Sequence, residues 1–341
     1  MGTLAQLSRI LDEAKNEYAA VKGCGFEDAN ITKGNIIALG DNVSLLKKLS
    51  DELEKKASFD GFDFIYIDPP FYSGEDYKAN INIGDENLKF TVYGDKWKSL
   101  GEFLEMLSLR LYLIKDVLKD TGLVALHLDT HAAAYVKVLL DEIFGEEHFV
   151  NELIWSYKSG GARGKCFAKK HDTILVYSKT DDYYFLPKKE ISYNRDGRPY
   201  RFKGVEEYQD EEGKWYTLVN RKDVINVDMV GRTSSERTGY ATQKPERLIE
   251  ILLESFCKEG GLAGDFFAGS GTLAAACNTL GVNYIICDRS PVAFGLSKNR
   301  LEKAGSSFDV IKQSDIDIEK ELASLNLEED QLGRLREILK L

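Results

Sequence analysis

The stretch "GDFFAGSGTLAAACNTLGVNYIICDRSP" runs from Gly264 to Pro291. It reads as an apolar strand, a glycine turn, a helix, a second apolar strand and an acid, which is one β–α–β unit. Strands that are apolar on both faces and alternate with helices imply a parallel sheet covered on both sides. Gly269 and Gly271, flanking Ser270, let the backbone approach a ligand closely. The helix opening at Thr272 offers unpaired N–H groups there. Asp288 ends the second strand, where a carboxylate can accept from ribose hydroxyls.

Two ligands fit this turn. Gly269-x-Gly271-x-x-Ala274 satisfies the loose dinucleotide pattern, so NAD is one reading. Asp265, four residues before the first glycine, would repel a pyrophosphate. It suits a cofactor that carries an amine and a sulfonium but no phosphate, and S-adenosylmethionine is therefore favoured over NAD. A tight turn with no ligand is the plainer alternative.

Outward from this unit the same alternation recurs. Apolar strands are expected at 35–42, 62–68, 122–129 and 172–179, with amphipathic helices at 4–20, 43–56, 99–120 and 131–145. Residues 73–96 read as a polar, glycine-containing excursion. Residues 181–238 are aromatic-rich and short-periodic, a small irregular β-rich insertion. Residues 315–341 read as one or two amphipathic helices.

The strand at 62–68 runs into "DPPF", Asp68 to Phe71. Pro69 and Pro70 fix φ twice and remove two donors. A rigid tip with one carboxylate and a flat ring is suited to a planar group bearing an amine.

The 341 residues are 43% hydrophobic and 30% charged, as in globular proteins, and no apolar run reaches membrane-spanning length. The N-terminal segment carries acids and no apolar signal core, so a cytoplasmic location is expected. Five scattered cysteines and four histidines suggest neither a disulfide frame nor a metal cluster. "HLDTH" at 127–131 permits a metal reading, but a strand end that alternates faces explains it more simply. The formal net charge is −11, yet Lys158, Arg163, Lys165, Lys169 and Lys170 stand against Glu152 alone between 151 and 171. That loop is the expected site of nucleic-acid backbone contact.

Taken together, "DFFAGSGT" and "DPPF" resemble the cofactor and catalytic motifs of amino-methylating DNA methyltransferases. The order of catalytic motif, insertion, then cofactor motif resembles the permuted β-group, which includes the modification subunits of type III restriction systems. "GDN" at 40–42, "VYGDKW" at 92–97, "HLD" at 127–129 and "ERTGYATQKPERLIEILL" at 236–253 agree with it. The likeness covers about 31–304. Phe266 stands where the family more often has proline, and Phe71 replaces the usual tyrosine.

The resemblance implies a Rossmann-like methyltransferase fold of permuted order. Its expected parts are a helical extension at 1–30, a catalytic half at 31–180, a target-recognition insertion at 181–238, a cofactor half at 239–304 and a helical tail at 305–341. It implies Asp68 and the Pro69 carbonyl as acceptors for an exocyclic amine, with Pro70 rigidifying the tip and Phe71 stacking on the base. It implies that Asp265, Phe267, Ala268, Gly269, Ser270, Gly271, Thr272 and Asp288 hold the cofactor. Asp41, with Asn42, is the implied partner of the cofactor's adenine, and Lys244 lines its methionine end. The implied substrate is DNA, methylated at adenine N6, with cytosine N4 as the alternative. A homodimer or a restriction or specificity subunit is the implied partner. Carbon-5 cytosine chemistry is rejected, because no cysteine follows a proline.

Overall fold

The computed structural model describes residues 3–22, 25, 26, 31, 34–55, 59–83, 86–158 and 164–340. Helix α1 (Thr3–Ala20) precedes strand β1 (Ile36–Leu39), helix α2 (Asn42–Glu54) and strand β2 (Phe62–Ile67). A hairpin of β3 (Asp76–Ile83) and β4 (Glu86–Gly94) leads to α3 (Leu100–Val117), β5 (Leu118–Leu128), α4 (Ala133–Phe144), β6 (Phe149–Ser156) and β7 (His171–Ser178). The insertion holds β8 (Lys189–Tyr193), β9 (Glu207–Gln209), β10 (Trp215–Asn220) and β11 (Val224–Asn226). The remainder is α5 (Glu246–Phe256), β12 (Leu262–Asp265), α6 (Thr272–Leu280), β13 (Asn283–Asp288), α7 (Pro291–Lys303), β14 (Asp309–Lys312), α8 (Ile318–Ala323) and α9 (Glu329–Leu339).

One nine-stranded sheet runs in the order β11-β6-β7-β5-β2-β12-β13-β1-β14. From β5 to β14 every pairing is parallel. Strand β7 departs from the parallel expectation and lies antiparallel between β5 and β6. The described part of the β6–β7 connection carries no helix, and a chain returning without a crossover pairs antiparallel.

All six positions of β2 are buried because both of its faces are covered. Phe62, Ile65 and Ile67 pack with α1, α2, α3 and α4, while Phe64 and Tyr66 pack with α5, α6 and α7. Each such side chain contributes roughly 1.5–3 kcal/mol. A third apolar cluster joins Ala79, Ile81, Leu88 and Phe90 of the hairpin to Tyr240, α7 and α9. The expected polar excursion at 73–96 is therefore largely a β-hairpin. Its short apolar alternation becomes meaningful only against this distant cover.

In the insertion, β8, β10 and β9 form a separate antiparallel sheet, and β11 joins the edge of the main sheet beside β6. Among the described residues no helix is long and apolar enough to cross a membrane. After β2 the chain moves to one side of the sheet through α3, and after β12 to the other through α6. A crevice therefore opens at the carboxyl ends of β2 and β12, where ligands bind in doubly wound sheets.

Candidate active site

Asp68 follows β2, while Asp265 and Asp288 end β12 and β13. These three strands are neighbours, so carboxylates about 200 residues apart in sequence meet at one edge. They line a cleft of about 820 Å³, counted to its open mouth, together with Phe267, Ala268, Ser270 and Thr272. Asp265 accepts from Phe267 N at 2.9 Å. Burial pushes its carboxyl well above the usual range, against the Phe267 N–H. Asp288 accepts from Gly269 N and from Ser290 N, each at 2.8 Å, and burial pushes it up to about 6. Lys244 is the only basic side chain in the lining, against three aspartates. This donor set fits a cationic ligand such as a sulfonium with an amine, and does not fit a pyrophosphate.

The glycine turn is held from behind. Gly269 lines the cleft at φ +51°, and a Cβ there would meet the Tyr240 ring at 3.0 Å. Ser297 Oγ donates to Gly269 O at 3.0 Å, and Arg300 donates to Ser270 O at 3.0 Å and to Thr272 Oγ1 at 3.2 Å. Gly271, expected to face the ligand, does not line the cleft. At φ +71° its missing Cβ would fall 2.8 Å from Ser297 Oγ, so this glycine is required by packing against α7.

Residues 240–244 form a strap across the cleft, with Thr242 and Gln243 in its lining. Lys244, expected at the methionine end of the cofactor, reaches the tip formed by Asp68 and Phe71. Its Nζ donates to Asp68 Oδ2 at 2.5 Å and stands 5.0 Å from the centre of the Phe71 ring. Asp68 Oδ1 is buried and has no partner among the described residues. Pro69 is buried and Pro70 lines the cleft. The Phe71 ring stacks on His127 at 5.9 Å and 22°. His127 is fully buried, with Nδ1 2.8 Å from Tyr66 OH and Nε2 3.2 Å from Asp172 Oδ2. Burial and the nearby Lys244 lower its pKa, against Asp172. It is a supporting wall for Phe71, and among the described residues no group of three His, Cys, Asp or Glu could hold a metal.

Sequence reasoning gave Asp95 no role. It lies just past β4, is fully buried, and its carboxylate accepts from Phe71 N, Tyr72 N and Ser73 N at 3.0, 3.0 and 2.7 Å. Ser73 Oγ at 2.7 Å and Trp97 Nε1 at 2.9 Å complete the set. Tyr72 has φ +61°, a conformation costing of order 1–3 kcal/mol outside glycine. The only signal was "VYGDKW" itself, since the donors lie mostly more than 20 residues away.

Asp41 and Asn42 lie outside this cleft. Asp41 caps α2, accepting from Val43 N and Ser44 N at 3.0 and 3.1 Å, and lines a neighbouring pocket beside Arg289. Asn42 Nδ2 donates to Phe266 O at 2.7 Å, and its Oδ1 accepts from Arg110 at 2.8 Å. Asp41 Oδ1 thus caps α2 and the Asn42 amide holds the approach to the turn, while Asp41 Oδ2 lies 4.0 Å from Arg110.

In the β6–β7 connection, Lys158, Lys165 and Lys169 are exposed and Lys170 is half-buried. Lys169 Nζ lies 3.3 Å from His131 Nε2. Lys158 stands 3.6 Å from Asp228. Arg163 lies outside the described residues.

Residues 62–299 match the N6/N4 methyltransferase family model, described as DNA methylase. The chain is 33% identical over 182 residues to the type II methyltransferase M.KpnI of Klebsiella pneumoniae, covering 53% of this chain and 39% of that protein. It is 27% identical over 259 residues to the type II methyltransferase M.HpaI of Haemophilus parainfluenzae, covering 76% of this chain and 74% of that one. Identity to the type III EcoPI Mod subunit of Escherichia phage P1 is 28% over 249 residues, 67% of this chain and 34% of that subunit. The chain thus spans well under half the length of two of these three relatives. The solved PvuII DNA methyltransferase (cytosine-N4-specific) shares the fold, with a TM-score of 0.51, 14% identity, and coverage of 91% of this chain and 94% of that one.

Proposed function

The chain belongs to the DNA methylase family, and on that premise we propose that it transfers a methyl group from S-adenosylmethionine to the N6 amine of adenine in DNA. The observation that carries this reading is the unpartnered, buried Oδ1 of Asp68 at the rim of an acid-lined cleft. An exocyclic amine is a poor nucleophile because its lone pair is delocalised into the ring. Two acceptors aimed at its N–H bonds turn the nitrogen towards a tetrahedral form. Asp68 supplies one acceptor and the Pro69 carbonyl the other, with its direction fixed by the second proline. Phe71, backed by His127, is the platform for the base face.

S-adenosylmethionine supplies the activated methyl group. Asp265 and Asp288 would hold its cationic and hydroxyl-bearing parts, and Phe267, Ala268, Gly269, Ser270, Thr272 and Lys244 would line the rest of its site. Asp41 and Asn42 support the turn from the adjoining pocket. The acceptors act chiefly by positioning, where preorganised groups are each worth roughly 10²–10³-fold. A base inside a duplex does not reach this tip, so the target is flipped out. Lys158, Arg163, Lys165, Lys169 and Lys170 hold the distorted backbone.

The aspartate of "DPPF" favours adenine, since cytosine-N4 members more often carry serine there. Cytosine N4 is the second reading and uses the same acceptors. The relatives named methyltransferases support methyl transfer, and those named Mod subunits support a partner subunit for DNA binding. The test is to incubate the chain with S-adenosylmethionine and unmethylated genomic DNA and to analyse the nucleosides by mass spectrometry. N6-methyladenine is expected. N4-methylcytosine would move the activity to the other base, and no methylated base would count against an autonomous enzyme.

A further inference from the structure

We infer that Asp95 is the positioning residue that sets the catalytic tip: its carboxylate fills a nest of consecutive backbone amides at Phe71, Tyr72 and Ser73. The inference rests on the proposed role of Asp68–Phe71 but is read by a measurement that does not need it. Successive N–H groups with one residue in the left-handed region form a concavity that binds anions. Tyr72, at φ +61°, creates that concavity here. Asp95 Oδ2 accepts from Phe71 N, Ser73 N and Ser73 Oγ, and Oδ1 from Tyr72 N and Trp97 Nε1. Five donors saturate a group with about four lone-pair sites, and no neutral side chain of that size accepts as many.

The consequence is mechanical. Upstream, Asp68 is anchored because β2 is paired on both sides. Downstream, the two prolines offer no N–H to hold the chain, so the first backbone N–H bond after them is that of Phe71 to Asp95. The same residue closes the hairpin, with its N donating to Glu75 O at 2.9 Å and its O accepting from Gly74 N at 3.0 Å. Tyr93 and Gly94, just before it, line the cofactor cleft. Asp95 therefore ties the cofactor side of the cleft to the ring that receives the base.

Asp95→Asn keeps the size and turns one acceptor into a donor facing the amide hydrogens. In the full chain, hydrogen exchange of the segment 71–75 is expected to accelerate about tenfold while β2 keeps its protection. Single-turnover methylation of genomic DNA is expected to fall about 10²-fold with the S-adenosylmethionine Kd nearly unchanged, since small misplacements cost about that much. Ser73→Ala removes one donor and is expected to shift both readouts in the same direction by a smaller factor. It also serves if Asp95→Asn does not fold. Unchanged exchange at 71–75 in a folded variant would overturn the inference whether or not the wild type methylates DNA. Wild-type turnover in Asp95→Asn beside an active wild type would overturn it while leaving the proposed function intact. Wild-type chain that methylates nothing would instead remove the proposed function, with the exchange result still deciding Asp95.

Discussion

Lys244 Nζ donates to Asp68 Oδ2 at 2.5 Å, while Asp68 Oδ1 has no partner among the described residues. The ammonium stands 5.0 Å from the centre of the Phe71 ring, so it pairs with one oxygen of the Asp68 carboxylate beside the ring proposed to receive the base. Both side chains are largely buried, at 8% and 16% exposure. Removing one partner of such a pair leaves an uncompensated charge, at a penalty of roughly 3–5 kcal/mol. Lys244→Met is expected to destabilise the ligand-free chain by that order in urea unfolding, and Asp68→Asn/Lys244→Met to recover much of it. Additive losses in the double variant would show that the pair is not coupled.

Cofactor binding should release protons. Burial holds Asp265 well above the usual carboxylate range, and Asp288 at about 6. A cation entering the cleft favours the ionised forms and lowers both values. Affinity for S-adenosylmethionine should therefore rise between pH 5 and pH 7, and calorimetry in buffers of different ionisation enthalpy should register net proton release. For folding, the sign is opposite. Asp288 binds more proton in the folded chain than in the unfolded one between 3.8 and about 6, so its contribution to stability falls as pH rises through that window. Asp288→Asn should flatten the binding profile. A pH-independent Kd in the wild type would remove both carboxylates from the site.

The two glycines of the turn should separate. Gly271→Ala forces a Cβ against Ser297 at a left-handed φ and should lower the melting temperature, with about 1–2 kcal/mol from the backbone alone. Gly269→Ala instead presses on the Tyr240 ring in the cleft wall and should weaken S-adenosylmethionine binding more than it weakens folding. Equal effects of both changes on folding and on binding would contradict this division.

On the proposed reading, the lysines of the β6–β7 connection would act on phosphate by charge alone. Replacing Lys165 and Lys169 by alanine should lower affinity for all DNA sequences alike. It should also reduce the slope of log K against log salt by about 0.9 for each lysine lost from a duplex contact. An unchanged slope would exclude them from the DNA path.

The parts of this site that are local in sequence were legible in it. Residues 264–288 announce strand, turn, helix and acid because each signal is set by neighbours within a few positions. "DPPF" carries its rigidity in two adjacent prolines. What was not legible depends on contacts across the chain. Nothing near Asp95 says that its acceptors are filled by residues 71–73 and 97. The packing role of Gly271 depends on Ser297, on another helix. The Lys244–Asp68 pair joins residues 176 apart. The hairpin at 76–94 looks polar until α7, α9 and Tyr240 are placed over its apolar face.

The most direct measurement is single-turnover methyl transfer by wild type and Asp68→Ala, with S-adenosylmethionine affinity measured on the same samples. The expected result is a rate reduced by at least about 10²-fold, with cofactor binding close to wild type. Wild-type turnover in Asp68→Ala would contradict the account, because among the described residues no other side chain at the tip offers a free buried acceptor to the amine.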